Sequence, residues 1–251
     1  MTIISGVINT RFNHRPKERS LQRPPMQIMA VAFAVSALAF GVIAFAAGGP
    51  LPDVSAAFAA AVADSSRPDS DTTRDADRKP EQTLVFTGIK PGDQVADYVA
   101  DSGYFTRLFS SVVGSKGHVY AVEPTAFFKF QRFANAVAEL QGYAVDHPNV
   151  TFMGTVDTAA FNKAVYEALK PGGFYVVLDH SAAPGAAADV TETLHRIESS
   201  TVRREVEAVG FKFDSESSIL ANPADPRTAK VFDQTIRGHT DQFIVKFRKP
   251  K

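Results

Sequence analysis

The chain has 251 residues, 45% of them hydrophobic, with 27 basic and 27 acidic side chains. That length suits one α/β domain with additions, and the zero net charge argues against a nucleic-acid binder that works by bulk charge. No cysteine is present, which excludes thiol catalysis, cysteine–metal sites and disulfides.

Residues 1–25 form a polar, basic region in which Arg11, Arg15, Lys17, Arg19 and Arg23 face a single acidic residue, Glu18. Residues 26–48 carry no charge and read as a signal peptide or a transmembrane anchor, with the basic flank in the cytoplasm and the rest outside. Ala44-Phe45-Ala46 offers a small-x-small cleavage site. A buried Ala-rich helix is the alternative. Residues 49–80 read as a solvated linker; Ser70 through Arg78 could form a short helix laid over the domain. The folded domain is expected over 81–251.

Within that domain Glu81 to Gly88 reads as a helix, and Lys90-Pro91-Gly92-Asp93 as a turn. Val95 to Ala100 is a short apolar strand, and Asp101-Ser102-Gly103 is turn chemistry. Phe105, Leu108, Phe109, Val112 and Val113 recur at i, i+3, i+4, i+7 and i+8, one face of a helix. His118 to Val122 is the next strand, closed by Glu123. A βαβ unit of this kind aims free N–H groups and the positive end of a helix dipole at a ligand. An acidic residue about 20 positions after the turn is placed to hold a ribose. Thr125 to Tyr143 keeps a 3.6-residue period, and Val150 to Met153 is a short strand. Asp157 caps a helix that ends at Lys170-Pro171-Gly172-Gly173. Phe174 to Leu178 is apolar throughout, as a central parallel strand would be, and Asp179 and His180 stand at its carboxyl end. Short helices are expected at Thr191–Ile197 and near Val202–Val209. Strands follow at Phe211–Ser217 and Phe243–Phe247, separated by a long loop.

Taken together, VADYVADSGYFTRLF, GHVYAVEP and ALKPGGFYVVLDH, followed by an αβ unit and a terminal strand, resemble the class I S-adenosylmethionine-dependent methyltransferases. RDADRKP, ETLHRI, EVEAVGF and TDQFIVKFRKP are similar to a bacterial branch of predicted methyltransferases, many with export signals. The resemblance covers about Arg67 to Pro250. It implies a Rossmann-like doubly wound α/β sheet of about six strands with an antiparallel last strand, preceded by the N-terminal hydrophobic helix. It implies S-adenosylmethionine as cofactor, with Asp97, Gly103, Tyr104 and Glu123 as the binding residues. A small-molecule methyl acceptor is the implied partner. The membrane would be met through the N-terminal helix, and the address would be the cell envelope, facing the periplasm.

The family pattern D-x-G-x-G-x-G is altered, because its first two glycine positions are Val99 and Asp101. The middle is also short: only Gly154, Thr155 and Val156 separate Met153 from Asp157. Roughly 30 to 40 residues, a helix and a fourth strand, are missing against the usual αβ unit. Direct pairing of Phe174–Leu178 with Val95–Ala100 is therefore expected, since otherwise a strand edge stays open.

His180 and His195 are the catalytic candidates, as base for an acceptor. Arg196 could hold an anionic substrate. A metal site from His180, His195 and Asp189 is not expected. Two other functions remain: an exported, non-catalytic ligand- or partner-binding domain on the same scaffold, and a nicotinamide dehydrogenase.

Overall fold

A computed structural model describes residues 3–8, 54–125, 128, 130–155, 161–187 and 189–251. The hydrophobic segment 26–48 lies outside the described residues. No helix among the described residues is long and apolar enough to cross a membrane.

One sheet of seven strands organises the described residues. In chain order the strands are β1 (Ile3–Ile8), β2 (Gln94–Tyr98), β3 (His118–Pro124), β4 (Val150–Thr155), β5 (Phe174–His180), β6 (Lys212–Ser217) and β7 (Gln242–Arg248). Their order across the sheet is β4-β3-β2-β1-β5-β7-β6. Strands β2, β3 and β4 are parallel, and β7 lies antiparallel to both β5 and β6. The antiparallel last strand is as expected.

Helices α1 (Val54–Val62), α2 (Asp69–Thr72), α3 (Asp75–Arg78) and α4 (Pro80–Thr87) precede β2. Helices α5 (Tyr104–Val113) and α6 (Gln131–Asp146) are the crossovers of the parallel half. After β4 come α7 (Phe161–Ala168), α8 (Val190–Leu194) and α9 (Ser199–Ala208). The order runs outward one way through β2, β3 and β4 and the other way from β5 to β6. Right-handed crossovers then put α5 and α6 on one face and α9 on the other. Residues Phe174 to Leu178 are all buried, as a strand covered on both faces requires. Lys249, just beyond β7, donates to the carbonyls of Tyr166 and Leu169 at 2.6 and 2.7 Å. It thereby caps the carboxyl end of α7.

The expected direct pairing of β2 with β5 is overturned. Strand β1 lies between them, antiparallel to both, with Ser5 opposite Asp97 on one side and Val176 on the other. With β1 added to the six strands β2 to β7, the sheet has seven strands. The reason is the one that motivated the expectation: two facing strands with free N–H and C=O groups cannot stay unpaired in a core. Ile3-Ile4-Ser5-Gly6-Val7-Ile8, uncharged and rich in β-branched residues, supplies the missing ladder from the other end of the chain.

Residues 54–80, expected as a linker, contain three helices tied to the domain. Arg107 of α5 holds Asp71 through two hydrogen bonds, Nε to Oδ2 at 2.7 Å and Nη2 to Oδ1 at 2.8 Å. Both residues are buried. Arg67 grips Asp75 in the same forked way, at 2.8 and 2.7 Å.

Candidate functional site

The carboxyl ends of β2, β3 and β5 carry the residues picked out from the sequence, where open α/β sheets keep their sites. Asp97 is buried, and its Oδ2 accepts the Thr106 hydroxyl at 2.7 Å, joining β2 to the first turn of α5. The chain then turns through three left-handed residues: Val99 at φ 57°, Asp101 at 52° and Gly103 at 90°. These are the three glycine positions of the family pattern. All three take a conformation that glycine favours, although two of them are not glycine. The N–H groups of the turn are largely bonded within the protein: those of Val99 and Gly103 donate to the Val122 and Ala100 carbonyls, each at 2.8 Å.

A β-branched side chain is an outlier at positive φ, costing about 1–2 kcal/mol. Val99→Gly is therefore expected to stabilise the protein by about 1 kcal/mol net of the entropy glycine loses on folding. A urea-denaturation midpoint measures this; a lower midpoint would mean that the half-buried isopropyl group holds the loop. Gly103 cannot be exchanged in the same way. A Cβ there would come within 2.8 Å of Leu140 Cδ1.

Glu123, the last residue but one of β3, is fully buried. Its Oε2 accepts the Asp101 N–H at 3.1 Å, so the carboxylate and the left-handed loop form one unit. Asp101 itself is exposed.

Tyr104 opens α5 with its hydroxyl donating to Asp75 Oδ1 at 2.7 Å. Burial, then the Asp75 carboxylate, push its phenol well above the ordinary range. Against the burial that would raise it, Arg67 and Tyr104 hold the Asp75 carboxyl below its ordinary value. Tyr104 thus joins the binding loop to the helices that cover it. Those helices also reach the C-terminal half: Lys79 donates to the Ile219 carbonyl at 2.6 Å, and Asp77 pairs with His239 Nδ1 at 3.1 Å.

His180 ends β5 with Nδ1 at 2.7 Å from the Thr240 hydroxyl. Burial, aided by the Arg196 charge, lowers its pKa from 6.5 to about 4. The imidazole is neutral at physiological pH. The unfolded chain takes up the proton near 6.5 and the folded chain only near 4. The His180 contribution to stability is therefore complete above pH 6.5 and is lost as pH falls toward 4. His180→Gln is expected to flatten the pH dependence of the denaturation midpoint in that window. Equal slopes for both proteins would contradict it.

His195 is placed apart from that pair. It takes a left-handed conformation at φ 57°, with Nδ1 3.2 Å from the Thr191 carbonyl and its ring edge-on to Phe232 at 4.8 Å. Arg196 is fully buried and forks onto Asp225 at 2.8 and 3.2 Å. It also donates to the carbonyls of Ala229 and Ser181 at 2.9 and 3.0 Å. Every arm of the guanidinium is engaged inside the protein, so it has none to offer a substrate.

Sequence reasoning missed Arg107 with Asp71, Arg67 with Asp75, and Thr240 beside His180. The one available signal was Arg107, a charge in an otherwise apolar stretch of α5.

Neither a family model nor a curated protein matches the sequence. Among solved structures, the chain is similar to the [4+2]-cyclase SpnF, with 15% identity over 70% of this chain and 81% of that one, at a TM-score of 0.50. Weaker likenesses include a SAM-dependent methyltransferase from Aquifex aeolicus, with 17% identity over 67% of this chain and 88% of that one, TM-score 0.45. Another is the arsenic(III) S-adenosylmethionine methyltransferase CrArsM from Chlamydomonas reinhardtii, with 18% identity over 81% and 75%, TM-score 0.46. Strand order, the left-handed loop after β2 and the antiparallel last strand agree with the resemblance read from the sequence: the chain has the fold of the class I S-adenosylmethionine-dependent methyltransferases.

Proposed function

We propose that the protein binds S-adenosylmethionine between the 97–103 loop and Glu123 and transfers its methyl group to a small-molecule acceptor. The observation that carries this is the left-handed path at Val99, Asp101 and Gly103, kept at a cost in strain, with the buried Glu123 carboxylate bonded to its centre. Such strain persists where the surrounding structure needs the conformation.

The donor set fits an adenosyl nucleoside. A carboxylate accepts two hydroxyl donors of a ribose. When bound, the cofactor supplies a methyl group on a positively charged sulfur. The protein's part is alignment of acceptor and methyl. His180, neutral and oriented by Thr240, is placed at the end of β5 to accept a proton from the acceptor.

The proposed address is the cell envelope, on the strength of residues 1–48. Strand β1 adds a condition: a chain that keeps Ile3–Ile8 in its sheet holds both flanks of 26–48 on the domain's side of a bilayer. Cleavage after Ala46 would remove a central strand.

Calorimetric titration of the full chain with S-adenosylhomocysteine tests the reading. Binding that NAD does not reproduce is expected. No binding at millimolar ligand would leave a non-catalytic domain on this scaffold, and binding of NAD instead would point to a dehydrogenase.

A further inference from the structure

Two arginines of the covering helices have no acceptor among the described residues. Arg74 and Arg78, four residues apart at the two ends of α3, both face the Tyr104 ring, with Cζ at 5.2 and 4.6 Å from its centroid. Arg78 also lies 5.6 Å from the Phe105 ring. The third guanidinium over Tyr104, that of Arg67 at 5.5 Å, is neutralised by Asp75. Neither Arg74 nor Arg78 makes an ion pair or a side-chain hydrogen bond among the described residues, whereas Arg67, Arg107 and Arg196 are each forked onto a carboxylate. Burial, then the charge of Arg74, bring the Arg78 guanidinium down to about 10. Asp97 and Asp101 act on Arg78 the other way, yet neither comes within ion-pair distance.

Like charges converging on one buried ring are unfavourable unless something offsets them. The element that carries them is also rigid. Helix α3 is fixed to α5 through Asp75 and Tyr104, and to the C-terminal half through Asp77–His239 and Lys79–Ile219. The charge of Arg78 is felt by Asp101 of the left-handed loop and by His180 at the tip of β5. Tyr104, the ring beneath both arginines, directly follows Gly103 of that loop.

We propose that Arg74 and Arg78 form a binding site for one anionic group, a carboxylate or a phosphate, beside the 97–103 loop. Guanidinium forks match the paired oxygens of such groups, and the Tyr104 ring is the platform beneath them. The site itself stands on the arginine geometry. The identity of the molecule that brings the anion rests on the methyl-transfer reading: either the amino-acid carboxylate of the cofactor or an anionic methyl acceptor.

The test uses the full chain, with inorganic phosphate, S-adenosylhomocysteine and 5′-methylthioadenosine as probes in calorimetry. Arg78→Gln and Arg74→Gln are compared, each checked for an unchanged circular-dichroism melt. Phosphate is expected to bind the wild type and to be weakened at least about tenfold in each variant, the worth of a charge-assisted hydrogen bond. If the cofactor brings the anion, Arg78→Gln weakens S-adenosylhomocysteine by a similar factor, leaves 5′-methylthioadenosine unchanged, and phosphate competes with the former. If the acceptor brings it, both nucleosides bind the variants as they bind the wild type, and phosphate binds alongside them. Phosphate binding that is absent, or equal in wild type and both variants, overturns the site even where S-adenosylhomocysteine binds. Phosphate behaving as expected in a protein that binds no S-adenosylhomocysteine would keep the anion site and remove the methyl-transfer reading.

Discussion

Ser5→Pro is expected to lose on the order of 3 kcal/mol of stability, because it removes a ladder hydrogen bond from the middle of the sheet and leaves a buried carbonyl unpaired. Ser5 has neighbours on both sides, Asp97 of β2 and Val176 of β5. Proline is confined to edges and bulges in sheets, and β1 is neither. For a domain of this size that loss lowers the melting midpoint by roughly 10 °C. Deleting residues 1–8 goes further: β2 and β5 would face each other across an open gap, and the unpaired edges would favour aggregation. A melt of Ser5→Pro that matches the wild type would contradict the place of β1 in the sheet. The same strand decides how the protein should be handled: a fragment beginning at Ser66, attractive from the linker-like composition before it, lacks both β1 and α1.

Arg196→Leu is the second large effect, about 3–5 kcal/mol lost, since it leaves the Asp225 carboxylate buried without its partner. Asp225 is fixed by more than Arg196, for it accepts the N–H groups of Arg227 at 2.9 Å and Asp241 at 2.7 Å. The carboxylate cannot turn to solvent without breaking the loop that carries Thr240. Urea denaturation measures the loss, and the double variant Arg196→Leu with Asp225→Leu is expected to recover part of it. A stability change below about 1 kcal/mol for the single variant would show that the guanidinium is not the strut described. Because Thr240 orients His180, the same loop links this buried pair to the candidate base.

The fold was largely legible, for reasons tied to particular residues. The apolar face of α5, the unbroken Phe174–Leu178 run and the Lys170-Pro171-Gly172-Gly173 turn are local patterns, and local patterns survive in sequence. Strand β1 was not legible. Its six residues stand far along the chain from both strands they pair with, Ser5 lying opposite Asp97 and Val176, in a stretch whose composition is set by the arginines that follow. The shortness of the stretch between Met153 and Asp157 could be seen, but not that β1 stands between β2 and β5. Of the helices before β2, α4 and a short helix within Ser70–Arg78 were legible; how firmly α2 and α3 are tied to the domain was not, for a related reason. Their composition, rich in Asp, Arg and Ser, is that of a solvated segment, and only the forked pairs with Arg107 and Asp75 reveal that the charges point inward.

At the candidate site, Asp97, Gly103 and Glu123 were picked out because each sits at a fixed distance from a turn. Val99 and Asp101 pointed the other way in sequence, since a missing glycine suggests a lost conformation. The backbone shows the conformation kept. Arg196 illustrates the reverse error: an arginine beside a histidine suggests a substrate contact, whereas its burial and four acceptors make it a strut.

The central claim, that Glu123 and the left-handed loop hold the ribose of an adenosyl cofactor, is tested most directly by one double comparison. S-adenosylhomocysteine and its 2′,3′-dideoxy analogue are titrated into the full chain and into Glu123→Ala, with folding verified by circular dichroism. Glu123→Ala is expected to weaken S-adenosylhomocysteine on the order of 100-fold, two hydrogen bonds to a charged acceptor, and to change the dideoxy analogue little. Equal effects of Glu123→Ala on both ligands, or none on either, would contradict it.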